Sequence, residues 1–253
     1  MFTTMIRLFL FIFASLLFVS CDEFGFSNES NSNSDGSGTG GSMARFTVKG
    51  DYLYVLTDAS LQTYDISDSA RLDLKSSIYL NVAIETIFPS GNYLFMGSTT
   101  GMLVYDLDNP FKPEYVSSYS HFTSCDPVIV HGNYAYVTLR SNPNVWSCTR
   151  SINELQVLDI SNIKNPVKVS SYSMENPKGL ALANNTLFVC DGLDLVVMDA
   201  NNPLKLEEIK RFEMDGTPYD VIAKDGILTV SYSEGLIQYS YVGDTIQMLS
   251  VVY

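Results

Sequence analysis

Several aspartates lie at similar positions in a repeated sequence pattern and are candidates for catalytic residues. They are Asp58, Asp126, Asp191 and Asp215. Two facing carboxylates act as acid and as base or nucleophile in glycoside hydrolysis. Aspartate is also common in turns, where its side chain accepts backbone N–H bonds. No Gly-x-Ser-x-Gly or similar nucleophile signature accompanies these residues. A carbohydrate-active hydrolase is therefore the alternative hypothesis, and the sequence assigns no catalytic residue.

A second chemical feature is the only tryptophan, Trp146, which lies in a polar segment spanning residues 140–153. A tryptophan in a surface loop can anchor a sugar or a peptide, or it can pack against its own loop. The binding interpretation predicts a ligand site on the face that carries this segment. The candidate ligand-binding residues are Trp146, Asp126, Asp191 and Tyr219.

The residues that usually hold metals are sparse or badly spaced. His121 and His131 are the only histidines, and neither has a second histidine or a cysteine at ligand spacing. A further set of aspartates recurs once per repeat: Asp65, Asp106, Asp159 and Asp199. Ligands to one ion must lie within about 2.5 Å of it, which residues spread one per repeat cannot do. The sequence thus predicts neither a metal nor a cofactor, and a turn role for these aspartates.

The N-terminus has the features of an export signal. Residues 1–20 contain one basic residue, Arg7, followed by an apolar run that is too short to span a bilayer. Phe18-Val19-Ser20-Cys21 resembles the lipobox of bacterial lipoproteins, in which the cysteine is diacylated and becomes the mature N-terminus. The alternative is ordinary cleavage near Cys21 and release of the protein. Acidic residues directly after the cysteine resemble a signal for display on the outer membrane surface.

Residues 21–43 are rich in serine, asparagine and glycine, a composition typical of a flexible linker. The expected location is therefore extracytoplasmic, with the folded part tethered to the bacterial outer membrane through Cys21. The net charge of −13 argues against a nucleic-acid partner, because a polyanion requires a basic surface.

The other cysteines fit an oxidising compartment. Cys125 and Cys148 fall on the same face of one repeat, and we predict a disulfide between them. A loop of this length would be stabilised by roughly 3 kcal/mol in the chain-entropy model. Two free thiols are the alternative. Cys190 replaces an apolar strand residue and is expected to be a small buried hydrophobe.

The candidate residues lie within a repeated sequence pattern that predicts a β fold. A short phrase recurs at Gly50, Gly91, Gly132, Asn184 and Asp225, spaced about 41 residues apart with an insertion of about twelve residues in the third unit. Each unit reads as four short strands; in the second they are 83–89, 93–98, 102–107 and 114–120.

Five such units predict an all-β, five-bladed β-propeller of four-stranded antiparallel blades over residues 44–253. Because no strand is left over to complete a shared blade, we expect the ring to close by packing of blade against blade.

The phrases Glu154-Leu-Gln-Val-Leu-Asp-Ile-Ser161 and Asn165-Pro166-Val-Lys-Val-Ser-Ser-Tyr172 resemble the LVIVD repeat. The resemblance extends over nearly all of residues 44–240, is strongest in the second to fourth units and weakens in the fifth. That family comprises bacterial and archaeal secreted proteins predicted to be propellers. The resemblance implies an architecture and an extracytoplasmic location, and leaves activity open.

Together these features favour a non-catalytic interaction module for a protein or glycan partner. The carbohydrate-active hydrolase is the alternative, and a purely structural envelope protein is a third hypothesis.

Overall fold

A computed structural model describes residues 41–121, 127–141, 152–242 and 245–253. Twenty strands in these residues form five antiparallel sheets of four. Blade 1 contains β1 (Phe46–Lys49), β2 (Tyr52–Leu56), β3 (Ser60–Asp65) and β4 (Asp73–Tyr79). Blade 2 contains β5 (Ile84–Ser90), β6 (Tyr93–Ser98), β7 (Gly101–Asp106) and β8 (Glu114–Ser120).

The remaining three blades follow the same plan. Blade 3 contains β9 (Val128–His131), β10 (Tyr134–Leu139), β11 (Glu154–Asp159) and β12 (Val167–Ser173). Blade 4 contains β13 (Pro177–Ala183), β14 (Thr186–Asp191), β15 (Asp194–Asp199) and β16 (Glu207–Glu213). Blade 5 contains β17 (Pro218–Lys224), β18 (Ile227–Tyr232), β19 (Gly235–Val242) and β20 (Thr245–Val252).

Within every blade the strands pair in chain order, and the first strands of successive blades approach one another from β1 to β17. This arrangement places the first strands around a central axis and the fourth strands at the rim. The predicted five-bladed propeller fold is confirmed, and the strands expected in the second unit agree with β5 to β8 within about one residue.

The repeated phrase marks the first hairpin of each blade. Gly50, Gly91 and Gly132 have φ values of 56°, 50° and 57°. Asn184 and Asp225 occupy the corresponding positions at 48° and 52°. Glycine, asparagine and aspartate are the residues that adopt this left-handed conformation at least cost, and tight hairpins require it. The repeated phrase therefore reflects the backbone conformation that the first hairpin of each blade requires.

The recurring aspartates close the turn that follows the third strand. Asp65, Asp159 and Asp199 each accept a hydrogen bond from the backbone N–H two residues later, at 2.8–2.9 Å, and Asp106 makes the same contact. The predicted turn role is therefore confirmed. Among the described residues, no group of three potential ligand side chains is placed to hold a metal ion.

Apolar side chains fill the spaces between adjacent blades. Four buried clusters lie between blades 1 and 2, 2 and 3, 3 and 4, and 4 and 5. Representative fully buried members are Tyr54, Phe95, Tyr136 and Phe188. Because each inner blade has one apolar face for each neighbour, burial of these faces holds the blades in sequence.

The seam between blades 5 and 1 is built differently. Within the described part of the chain, no apolar cluster joins these two blades. Phe46 of blade 1 is 62% exposed, and Leu236 of blade 5 is 47% exposed. The outward face of blade 5 carries hydrogen-bonded polar side chains instead: Gln238 donates to Thr229 at 3.3 Å, and Ser250 donates to Gln238 at 3.0 Å.

A polar clasp connects the two ends of the ring. The buried Ser42 hydroxyl donates to Asp220 Oδ1 at 3.0 Å and accepts from Leu180 N–H at 2.8 Å. Ala44 O accepts from Ile87 N–H at 2.9 Å. Residues 41–44 therefore link blades 2, 4 and 5 near the axis. Closure was expected to rest on packing of blade against blade, and the contacts described at the ends of the ring add hydrogen bonds from the segment that precedes blade 1.

Replacing Asp199 by alanine should lower the free energy of unfolding by about 1 kcal/mol, because the turn loses a charge-assisted hydrogen bond. Asp199→Asn keeps a side-chain oxygen and should retain most of the stability. Urea denaturation measures both. Equal stability of the alanine variant and the parent would contradict the turn role.

Replacing Ser42 by alanine should cost about 1–3 kcal/mol, because the Leu180 N–H and the Asp220 carboxylate both lose a partner away from bulk solvent. Ser250→Ala removes a hydroxyl on an exposed blade face and is the matched control. Thermal unfolding measures the difference. A loss no larger than that of the control would show that the clasp does not hold the ring.

Candidate functional site

The upper face of the propeller carries the candidate residues. It comprises the loops between second and third strands and those leading from each fourth strand to the next blade. Asp58, Asp191, Asp215 and Tyr219 lie there. Asp58 is fully exposed, and its carboxylate lies 3.6 Å from the Arg45 guanidinium.

Several predicted residues fall outside the described ranges. They are Cys21, Cys125, Asp126, Trp146 and Cys148. The ligand role of Asp126 and Trp146, the disulfide and the lipid attachment remain predictions. Cys190 is described, and its thiol is free and fully buried, as expected for a small hydrophobe. Burial raises the pKa of this thiol well above its ordinary value, which keeps it neutral.

Asp191 is fully buried and bonded on both oxygens. One oxygen accepts from the backbone N–H groups of Glu175 and Asn176, at 2.9 and 2.7 Å. The other accepts from Arg211 at 3.2 Å, and Arg211 also binds Asp194 and Glu208. This carboxylate holds the loop that leads from blade 3 to blade 4, and its oxygens face protein donors. Its predicted role as a ligand-binding residue is untested.

Asp220 is an axial carboxylate that the pattern of the sequence does not single out. Besides Ser42 it accepts from Met43 N–H at 3.2 Å and from its own neighbour Val221 N–H at 3.0 Å. Desolvation raises the pKa of this group, and the hydrogen bonds from Met43, Ser42 and Val221 oppose the rise. Its close approach to the backbone requires Gly179, where an added Cβ would lie 2.1 Å from Oδ1.

Lys178 and Tyr219 form a second axial feature, at the upper ends of β13 and β17. Lys178 is only 6% exposed, and Nζ donates to Pro218 O at 3.3 Å. Its ammonium also stands 5.1 Å from the centre of the Tyr219 ring, which is 44% exposed. Tyr219 is thus the solvent-facing member of the pair, in agreement with its predicted position on the upper face.

Arg140 of blade 3 is near enough to Lys178 for its charge to act on the lysine. Thr138 Oγ1 donates to Lys178 O at 2.6 Å, and Arg140 follows Thr138 by two residues on the same side of the chain. Burial and then the Arg140 charge lower the pKa of Lys178. Arg140 Nε is itself buried and has no hydrogen-bond partner among the described residues. The Arg140 charge therefore lies within electrostatic reach of the Lys178 ammonium near the axis of an acidic protein.

A cleft of about 510 Å³ opens between blades 2 and 3 on the outer side of the upper face. Its described lining includes Tyr119, Ser120, His121, Leu139, Ile152, Glu154, Gln156 and Lys168. Tyr119 OH donates across the two blades to Gln156 Oε1 at 3.0 Å, and Gln156 donates to Glu154. The cleft combines an apolar floor with a hydrogen-bonded chain of polar groups.

The insertion in blade 3 begins and ends at this cleft. Leu139 and Ile152 line it, and Asn153 fixes the base of the insertion. Asn153 Oδ1 accepts from the N–H and hydroxyl of Ser141 at 2.9 and 3.1 Å, while its Nδ2 donates to Glu175 O at 2.6 Å. Asn153 therefore ties the two ends of the insertion to each other and to the blade 4 loop.

Two further clefts lie on the lower face. One of about 450 Å³ separates blades 1 and 2, and another of about 320 Å³ separates blades 2 and 3. Both are lined by the first-hairpin residues of adjacent blades, such as Gly50 and Asn92 in one and Gly91 and Asn133 in the other. Because they recur at equivalent positions, they follow from the blade repeat and single out no ligand.

Sequence comparison agrees with this architecture. The profile of the LVIVD repeat matches residues 40–79, 85–121, 124–143 and 150–174. These ranges correspond to blades 1 to 3. The chain is an LVIVD-repeat protein. Blade 4 was expected to match strongly and lies beyond the matched ranges, although its hairpin and its Asp199 turn repeat those of the earlier blades. No curated protein sequence matches the chain.

Solved structures share the fold at low sequence identity. The periplasmic gluconolactonase PpgL of Pseudomonas aeruginosa is 14% identical with a TM-score of 0.63, covering 79% of this chain and 67% of that one. A Lactobacillus plantarum protein is 12% identical with a TM-score of 0.66, over 81% and 72%. BamB from Moraxella catarrhalis is 10% identical with a TM-score of 0.55, over 74% and 53%. At these identities the likeness shows the fold alone.

The described part of this LVIVD-repeat protein contains no helix that is long and apolar enough to cross a membrane. The features that the sequence did not reveal are Lys178, Arg140 and Asp220. A lysine inside the apolar phrase Pro177-Lys-Gly-Leu-Ala-Leu182 was the one available signal, because a lysine is rarely buried without a partner.

The raised pKa of Asp220 predicts a pH dependence of stability. A carboxyl whose pKa is higher in the folded state stabilises the fold fully below the unfolded value of about 3.8, and that contribution is lost as pH rises through the folded pKa. The free energy of unfolding of the parent, taken relative to Asp220→Asn, should therefore fall between acidic and neutral pH. Urea denaturation across this range tests the sign, and a relative rise with pH would contradict it.

Proposed function

We propose that this LVIVD-repeat protein is a non-catalytic binding module anchored to the outer membrane through a lipid on Cys21. Its partner, a protein or a glycan, binds on the upper face beside the blade 3 insertion. The observation that carries the proposal is the cleft between blades 2 and 3, because the insertion begins and ends on its wall.

The size and chemistry of the cleft support this proposal. A volume of about 510 Å³ lies within the usual range of small-ligand pockets, about 300–1,000 Å³. Such pockets combine apolar walls with a few placed polar groups. Leu139 and Ile152 supply apolar wall, while Glu154 and Lys168 supply opposite charges on one side. This combination suits a ligand with several hydroxyl or amide groups, such as a sugar unit or a peptide segment.

The firm base of the insertion supports recognition by the loop itself. Asn153 binds Ser141 on one side and the Glu175 carbonyl on the other. Residues that are already fixed, such as Ser141 and Asn153, lose less conformational entropy when a partner binds, so more of the contact energy appears as affinity. Trp146 lies within this loop and remains the proposed aromatic anchor.

The state of the axial carboxylates favours binding over hydrolysis. Glycoside hydrolysis needs two carboxyl groups free to meet substrate across a pocket. Asp191 is bonded on both oxygens to protein donors, and Asp220 is covered by residues 41–43. These two groups act within the fold, which is the reason for preferring the non-catalytic hypothesis to the carbohydrate-active hydrolase.

The test is capture of glycans and of cell-surface extract by the full chain. Trp146→Ala and the paired variant Glu154→Gln with Lys168→Met should each reduce retention about tenfold or more, because each removes contacts to the bound partner. Lys164→Met, a charge change in a lower-face turn, is the matched control and should retain the parent level.

Three outcomes contradict the proposal. These are no retention by the parent chain, equal retention by all variants, and release of a shortened glycan. The last outcome would establish the hydrolase.

A further inference from the structure

We propose that Arg140 and Lys178 form a second site on the upper face, close to the propeller axis, which binds the carboxylate of an acidic sugar. The site is separate from the cleft between blades 2 and 3. It stands on its own contacts and does not depend on the proposed function of that cleft.

The first reason is the incomplete bonding of a buried cation. Lys178 is 6% exposed, and an ammonium has three protons to donate. Within the described chain it has one long hydrogen bond, to Pro218 O, and one contact with the face of Tyr219. The Asp191 carboxylate attracts the Lys178 ammonium electrostatically, but its ion pair is with Arg211. A buried charge without a close partner is costly, so a counter-ion would stabilise this arrangement.

The second reason is the neighbouring guanidinium. The contact between Thr138 and Lys178 brings blade 3 against β13, and Arg140 projects from the same side of blade 3. Its buried Nε has no partner among the described residues. Two adjacent cations repel each other, and the repulsion becomes an attraction when an anion bridges them. One negatively charged group bound between Arg140 and Lys178 would supply the partner that each cation lacks.

The geometry of the donors favours a carboxylate. A guanidinium offers parallel N–H groups in a planar fork that matches the two oxygens of a carboxylate. The ammonium of Lys178 adds a point charge on the other side. A guanidinium together with an ammonium therefore favours an acidic ligand over a neutral ligand that carries only hydroxyl groups.

The exposed ring beside the cations favours a sugar as the carrier of that carboxylate. Tyr219 is 44% exposed, while its ring contacts the Lys178 ammonium. An aromatic face next to hydrogen-bond donors can pack against the apolar side of a sugar ring. A ligand that consists of a carboxylate alone would bind the two cations and leave the Tyr219 ring exposed to water.

Calorimetric titration of the full chain with sodium glucuronate tests the site. Glucose and acetate are the comparison ligands, because glucose has the sugar ring without the carboxylate and acetate has the carboxylate without the ring. We expect glucuronate to bind about tenfold or more tightly than either. Arg140→Gln should abolish the preference, while Arg45→Gln, a change at another upper-face arginine, should leave it intact.

Two further controls keep the result interpretable. Lys178→Met should also abolish binding; if circular dichroism shows that this variant does not fold, Arg140→Gln decides alone. Glu154→Gln with Lys168→Met alters only the cleft and should leave glucuronate binding unchanged, so failure of either proposal is visible separately.

Absence of binding, equal binding in Arg140→Gln, or acetate binding as tightly as glucuronate would overturn the acidic-sugar site. Tighter binding of inorganic phosphate than of glucuronate would overturn it as well, because the site would then select a compact anion.

Discussion

Each blade of this propeller must be held to both of its neighbours, and burial of apolar side chains meets that requirement wherever two apolar faces oppose each other. Four interfaces meet it with continuous apolar clusters. The fifth does not. The faces of blades 5 and 1 that look toward the seam retain exposed apolar or polar side chains, and the connection passes instead through Ser42, Asp220 and Leu180. Closure therefore depends on a few directional hydrogen bonds, which are lost together if the segment moves.

This mode of closure explains the constraints near the axis. The Asp220 carboxylate approaches the backbone so closely that Gly41 and Gly179 have no room for a side chain. It also accounts for the raised pKa of Asp220, because the segment that supplies the hydrogen bonds removes the carboxyl from water. The oxygens of this carboxylate are engaged by Ser42, Met43 and Val221.

Blade 3 contributes residues to both of the proposed sites on the upper face. Leu139 points into the cleft shared with blade 2, and the next residue, Arg140, lies toward blade 4 and Lys178. Successive residues of an extended chain point to opposite sides, so one short stretch serves the two neighbouring spaces. The insertion that follows this stretch is fixed at its base by Asn153. The anchored insertion and the alternating side-chain directions thus give blade 3 a part in both proposed sites.

The sequence by itself determined the features that depend on local geometry. Gly50 and its counterparts predict hairpins because few residues adopt positive φ, and Asp199 predicts a turn because its acceptor lies two residues away. Cys190 was predictable as buried because it takes the strand position that Leu56 occupies in the first repeat. The tertiary structure alone decided that Asp191 binds Arg211, that Arg140 lies within electrostatic reach of Lys178, and that Ser42 meets Asp220. The first of these contacts joins two strands of one blade, and the other two join different parts of the ring. All three depend on how the strands and blades are packed, which no local sequence pattern encodes.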